Sequence, residues 1–417
     1  MKKEKKIIWL FIYFICVLFI VFYLSIQYNN RINSQDDFIL IKRLKDLGFW
    51  KSIITWKFNQ RPIGHMLFNI TFYFNEKVSS FKWSLLLSNL IFISLFTHSI
   101  KLIIDKILKK NNQNLKQIKK WSLSILIVMC TFFFVFERSE IWYWYICFLL
   151  YLLPLVFINY GLILILSNNK IKWFSLLLFF MIGGELEIYI FITFCILVLV
   201  YINKLISFKK LIINTISLLS LSIFQFFNKG IANRINLEKK AEIIDLSTFT
   251  STFIHIIDHK NIFFVLLVII ITSVLSNKTQ KINYPKVMMN LGLVLLQTFI
   301  ITLSIGKIIF TNSWGPLRIW APFSILLMLF IIILILYINN RTEIKLQFLG
   351  IISSFIFIIL FTAFSFKQYY ITSNYAEAYD NILDGDVEVI MEVDSGVLIS
   401  PGHYNFLLEY LNTSKNE

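Results

Sequence analysis

KWFSLLLFFMIGGELEIYIFITFCILVLVYIN, residues 172–203, sets two apolar runs on either side of Gly183-Gly184-Glu185-Leu186-Glu187. Read as one helix, the stretch is overlong and holds two carboxylates at the depth where ionised groups cost most in lipid. Read as two short spans, 172–183 and 186–203, it turns the chain back at the glycines. The choice decides the side of the membrane on which every later loop falls. One helix would move Lys278, Lys281, Lys286, Arg341 and Lys345 outside. Two spans keep them on the same side as Lys2, Lys3, Lys5 and Lys6, as the positive-inside rule requires. The break is therefore placed at Gly183–Glu187.

Working outward, apolar runs near twenty residues recur along the 417-residue chain, 57% of which is hydrophobic. Each can cross a hydrocarbon core of about 30 Å as a helix. The runs do not alternate polar and apolar residues as barrel strands do, so the expected class is an all-α membrane protein. The candidate spans are 7–27, 81–104, 121–136, 142–166, 172–183, 186–203, 211–227, 261–276, 287–306, 317–338 and 346–365, about eleven in all. The cytoplasmic gaps then hold Lys101 through Lys120, Lys170 and Lys172, and Lys204, Lys209 and Lys210, besides the later residues already named. This topology accounts for the net charge of +16 without nucleic acid as a partner. MKKEKK and its apolar run could pass for a signal peptide. The run is long and bulky and lacks a small-residue cleavage site, so it reads as a retained first helix with its N-terminus in the cytoplasm. Cys16, Cys130, Cys147 and Cys195 all lie in apolar runs and imply neither disulfide nor zinc.

Residues 1–365 thus form one transmembrane domain, and 366–417 an acidic extracytoplasmic tail expected to hold a few strands and a short helix. The first outer loop, 28–80, is more than a connector. Leu40, Leu44 and Leu47, followed by Trp50, Ile53, Ile54 and Trp56, recur near helical spacing opposite Lys42, Arg43, Lys45 and Asp46. That pattern describes an interfacial helix lying flat on the membrane.

Chemistry-bearing residues gather at the outer helix ends. Asp36 and Asp37, just before the interfacial helix, suit a general base, a metal ligand or both, or simply a helix cap. Arg61, in NQRPIGH with His65, offers a guanidinium fork for a lipid phosphate, or for ordinary headgroups of membrane lipids. Glu140 and Trp142, in ERSEIWYWY, combine acids and aromatic faces as a sugar site needs; an interfacial aromatic belt explains the aromatics alone. Glu185 and Glu187 flank a helix break. Arg234, in NKGIANRIN, and Arg318, in WGPLRIWAP, add cations that snorkelling would also explain. No Walker loop, GxSxG or HExxH is present.

This order of short motifs — DDF after the first helix, then RP, ERSEIWYWYICFLLYLLP, GGELE, GIANR and PLRIW — resembles bacterial multi-span glycosyltransferases of the GT-C fold, related to O-antigen glucosyltransferase-like membrane families. The resemblance covers roughly residues 1–340. It implies an inverting hexosyl transfer from a polyprenyl-phosphate sugar donor to a cell-envelope glycan or lipid-linked acceptor, outside the bacterial inner membrane. On that pattern Asp36 or Asp37 is the catalytic base, and Arg61, Arg234 and Arg318 hold the donor phosphate. Glu140, Trp142, Glu185, Glu187 and His65 contact sugar or acceptor. No cofactor is required, and a divalent metal on Asp36 and Asp37 is compatible with the scheme. The competing classes are a transporter or flippase of lipid-linked saccharides, a polymerase of such units, and a non-catalytic assembly subunit. A transporter would carry charge near the bilayer midplane on broken helices.

Overall fold

The computed structural model describes residues 2–30, 35–54, 61–73, 81–110, 115–135, 145–167, 173–226, 262–275, 283–309, 321–342 and 346–384. These residues are nearly all helical, and no strand occurs among them. Seven stretches are long and apolar enough to cross a membrane: Lys6–Asn29, Lys82–Lys109, Gln117–Phe134, Phe148–Ser167, Tyr284–Thr302, Ala321–Asn339 and Gln347–Asn374. The chain is a multi-pass membrane protein.

The helices are α1 (Lys2–Asn29), α2 (Gln35–Leu47), α3 (Phe49–Ile54), α4 (Pro62–Phe72), α5 (Phe81–Lys110), α6 (Gln117–Phe134), α7 (Tyr145–Tyr151), α8 (Leu153–Ser167), α9 (Trp173–Gly183), α10 (Glu187–Ile202), α11 (Phe208–Phe226), α12 (Ile262–Leu275), α13 (Tyr284–Ile309), α14 (Ala321–Thr342) and α15 (Leu346–Asp384).

Pairs of contacts along neighbouring helices give their directions. Gly350 lies against Ile8, and Asn29 donates to Thr372 at 3.4 Å, so α1 and α15 run parallel. In α5 and α8, His98 meets Tyr160 at 2.7 Å and Lys106 donates to the Ile163 carbonyl at 2.6 Å; these two are parallel as well. Helix α6 opposes both α5, through Asp105–Lys120, and α12, through Phe133–Phe263. Ser175 meets Asn214 and Gly183 meets Leu218, so α9 and α11 are parallel, with α10 between them in sequence. The chain therefore reverses at Gly183–Glu187, as the charge distribution of the loops requires.

One end of the bundle is basic. There Lys101 and Lys120 share Asp105 at 3.0 and 2.5 Å, Lys119 stands 4.7 Å over the Trp9 ring, and Lys210 donates to the Ile165 carbonyl at 2.8 Å. Two of these cations, Lys106 and Lys210, approach the last turns of α8, where the helix dipole favours them.

The core between α1, α6, α12 and α15 is a stack of phenylalanines. Phe22, Phe132, Phe133, Phe263, Phe357 and Phe361 are buried there, with rings edge-on or stacked; the Phe133–Phe263 centroids are 4.8 Å apart. In lipid, such association depends on close packing more than on water release. Gly350 meets Ser273 with no room for a Cβ, which is how α12 and α15 approach so closely.

Five expectations are corrected. The interfacial segment is two helices, broken where Gly48 adopts φ +75, a conformation favoured by glycine. Leu40, Ile41 and Leu44 of α2 are buried in the same core as α4, so this face packs on protein. Asp36 and Asp37 lie inside the first turn of α2 and do not precede it. The span 142–166 is bent at Leu152, between α7 and α8. Helix α15 continues past residue 365 to Asp384, so no structural boundary falls at 366; residues 385–417, with the expected strands, lie outside the described residues.

Candidate functional site

Helix α4 begins at Arg61-Pro62. Proline suits the first turn, where its missing N–H has no intrahelical acceptor. Arg61 serves as N-cap through its carbonyl, which accepts from the His65 N–H at 3.0 Å; its side chain makes no cap. The Nε of Arg61 is buried and makes no hydrogen bond among the described residues. A cation at a helix N-terminus opposes the dipole, so this position favours an anion nearby.

The acid beside this helix start is Glu185, which is fully buried. It sits in the turn between α9 and α10, where Gly184 and Glu185 donate their N–H groups to the Met181 and Ile182 carbonyls at 3.0 Å. Its Oε2 lies 3.5 Å from where a Cβ on Gly64 would be, and the charge of Arg61 acts on it. Among the described residues no ion pair within 4.0 Å joins the two side chains. A side chain on Gly64 would also strike Leu150 of α7 at 2.7 Å. Gly184 lets Ile63 and Leu221 approach to 2.6 and 2.5 Å of its own missing Cβ. Three elements therefore close on one point: α4, α7 and the α9–α10 turn.

Helix α9 rises about 16 Å from its basic end, at 1.5 Å per residue, against a hydrocarbon core of about 30 Å. Helix α9 is thus too short to span such a core by itself, and Glu185 follows at its tip. Helix α4 enters from the other side: Thr71 meets Ser88, two turns along α5, at 3.3 Å. His65, beside Gly64, is buried, as are Ile63, Phe68 and Asn69. Asn69 ties α4 to α3, donating to the Phe49 carbonyl at 2.9 Å and to the Ser52 hydroxyl at 2.8 Å. Arg43 of α2 donates to the Ser52 carbonyl at 3.1 Å, and partial burial lowers its pKa from the ordinary arginine value.

Of the residues singled out in the sequence, the structure brings Arg61 near Glu185, and His65 is buried one turn along α4 from Arg61. Glu187, half-buried, opens α10 two residues further on. The backbone of Asp36 and Asp37 belongs to α2, which contacts α3, α4 and α7; their carboxylates lie outside the described side chains. Glu140, Trp142, Arg234 and Arg318 lie outside the described residues. Among the described residues no group of three His, Cys, Asp or Glu side chains could hold a metal.

Two residues escaped the sequence. Gly64 was visible in RPIGH only as a spacer. Tyr189, fully buried on α10, donates its hydroxyl to the Tyr151 carbonyl, which the bend at Leu152 leaves accessible. Its spacing of one helical turn from Glu185 was the signal available.

Comparison with models of protein families, with curated proteins and with solved structures found no match. The fold and the site together define a multi-pass helical membrane protein in which Arg61, at the start of α4, lies near the buried Glu185 of the α9–α10 turn.

Proposed function

We propose that the chain is an eleven-pass membrane glycosyltransferase of GT-C type in the bacterial inner membrane, with its N-terminus in the cytoplasm. It moves a hexose from a polyprenyl-phosphate donor to a cell-envelope glycan or lipid-linked acceptor on the extracytoplasmic side. The observation that carries this reading is the convergence of Arg61, from the loop after the first helix, on the buried Glu185–Gly64 contact. The alternating helix directions support the eleven-pass count, because each pair with determined direction fits it.

In this scheme the acceptor oxygen attacks the anomeric carbon from the face opposite the phosphate, and an aspartate of α2 takes its proton. Arg61, with Arg234 and Arg318, stabilises charge on the departing lipid phosphate. Glu140, Trp142, Glu187 and His65 orient sugar or acceptor. The phosphate leaves readily, so no strong general acid is needed.

One observation favours a second reading. A buried acid on an interrupted helical pair at membrane depth is also how transporters of charged substrates are built. The test is transfer from short-chain prenyl-phosphoryl hexose by purified wild type, Asp36→Asn, Asp37→Asn and the double variant. Loss of at least about a hundredfold in the double variant is expected for a missing base. Full transfer by the double variant removes the aspartates from the mechanism.

A further inference from the structure

Helix α13 is the least covered of the seven long spans, and it presents the membrane with a side chain that lipid cannot satisfy. One of its faces, with Val294, Thr298 and Thr302, is buried. Both threonine hydroxyls there donate back to carbonyls of the same helix at 2.7 Å. The opposite face exposes Met289, Leu293, Leu296 and Ile300, spaced four, three and four residues apart. In their midst Gln297 is exposed, and Asn290, seven residues earlier, is half-buried. Neither carboxamide makes a hydrogen bond among the described residues.

Gln297 lies midway between Lys286 and Lys307, about 15 Å from each along the helix. It therefore faces the middle of a hydrocarbon core about 30 Å thick. Exposed side chains in the middle of the other described spans are apolar. An apolar face alone fits lipid as well as it fits protein. A carboxamide at that depth does not, because its N–H donors and its oxygen find no partner in hydrocarbon. The group is complementary in charge to its own kind: the positive N–H edge of one meets the negative oxygen of another.

We propose that α13 is the seam of a homodimer, packed against α13 of a second copy, with the two Gln297 carboxamides hydrogen-bonded to each other. A two-fold axis along the membrane normal keeps both copies in one orientation and sets the two helices parallel, so that equal residues meet. Asn290, a full heptad from Gln297, meets its counterpart two turns nearer Lys286. Leu293 and Ile300 pack between these levels, in the spacing of a left-handed helix pair. A heterologous helix would have to supply matching polar groups at two levels; a second copy supplies both by symmetry. The proposal is independent of the catalytic reading.

The test uses the full-length protein in liposomes of phosphatidylethanolamine and phosphatidylglycerol, with subunits counted by single-molecule photobleaching as protein is diluted in lipid. Wild type is expected to pass from dimer to monomer on dilution. Gln297→Leu, which keeps the volume and suits a lipid-facing position, should raise the dissociation constant about threefold or more. Gln297→Asn, which keeps a carboxamide, should lose less. Ile359→Leu, on the exposed face of α15, should leave the constant unchanged. Monomer at every dilution overturns the proposal, as does undiminished association of Gln297→Leu. The face is read by oxidation. Leu293→Cys and Ile300→Cys should each cross-link to the same residue of a second copy beyond the level shown by wild type, and Phe355→Cys on α15 should not. Cross-linking through α15 in place of α13 contradicts the assignment of the seam.

Discussion

Gly64 holds the Oε2 of Glu185 at 3.5 Å from the position its own Cβ would occupy, so the backbone of a helix from the outer loop lies against a buried carboxylate. Two segments separated by more than a hundred residues meet there, and neither is long enough to cross the membrane alone.

Gly183 and Gly64 differ in what a methyl group would strike. At Gly183 it would lie 2.1 Å from the Leu218 carbonyl oxygen, part of a backbone that cannot move aside. At Gly64 it meets the mobile end of Leu150. Gly183→Ala is expected to destabilise by about 3 kcal/mol or more, and Gly64→Ala by about 1 kcal/mol. Thermal unfolding in detergent should rank them in that order; equal effects would mean that α9 and α11 are farther apart than described.

The charge of Arg61 acts on the buried Glu185 carboxyl, and removing one member of a buried polar pair costs stability. Arg61→Ala should destabilise the protein, and Glu185→Gln in the same molecule should restore part of the loss. A double-mutant cycle is expected to show coupling of about 1 kcal/mol or more. Additive effects would place the two groups in independent environments.

At the basic end, Asp105 serves two lysines, and Lys120 is the more buried of them. Lys120→Ala, which also loses the packed stem, should lower stability more than Lys101→Ala. The expected difference is about 1 kcal/mol, read from unfolding midpoints.

Orientation can be read chemically. Lys51 on α3 and Lys116 before α6 are both exposed and sit at opposite ends of the bundle. Lys51→Cys should react with a membrane-impermeant maleimide in intact cells, and Lys116→Cys only after permeabilisation. The reverse pattern would invert the topology.

The reversal at Gly183–Glu187 was legible because two carboxylates and the lysines downstream leave only one arrangement that keeps charge out of lipid. Apolar run length located most helices for the same reason. Helix α4 was not legible as part of the bundle. PIGHMLFNITF has 11 residues, too few to span, and only tertiary contacts show that it dips between its neighbours. The extension of α15 was hidden because hydropathy fades after Ser365 while helix-forming residues continue: no glycine or proline interrupts Ile351 through Asp384. In the site, residue types pointed to Arg61, His65 and Glu185 separately. Their meeting depends on packing at Gly64 and Gly184, which sequence spacing does not encode.

The central claim is that sugar leaves a lipid phosphate at the Arg61–Glu185 junction. The most direct test reconstitutes wild-type protein in sealed vesicles with acceptor glycan and a prenyl-phosphoryl hexose labelled in the sugar, and analyses the linkage that carries the label. The account predicts label in a new glycosidic bond, formed by wild type and lost in Arg61→Ala. Label that crosses the bilayer still joined to its prenyl phosphate, with no new linkage, would contradict the claim and identify a transporter.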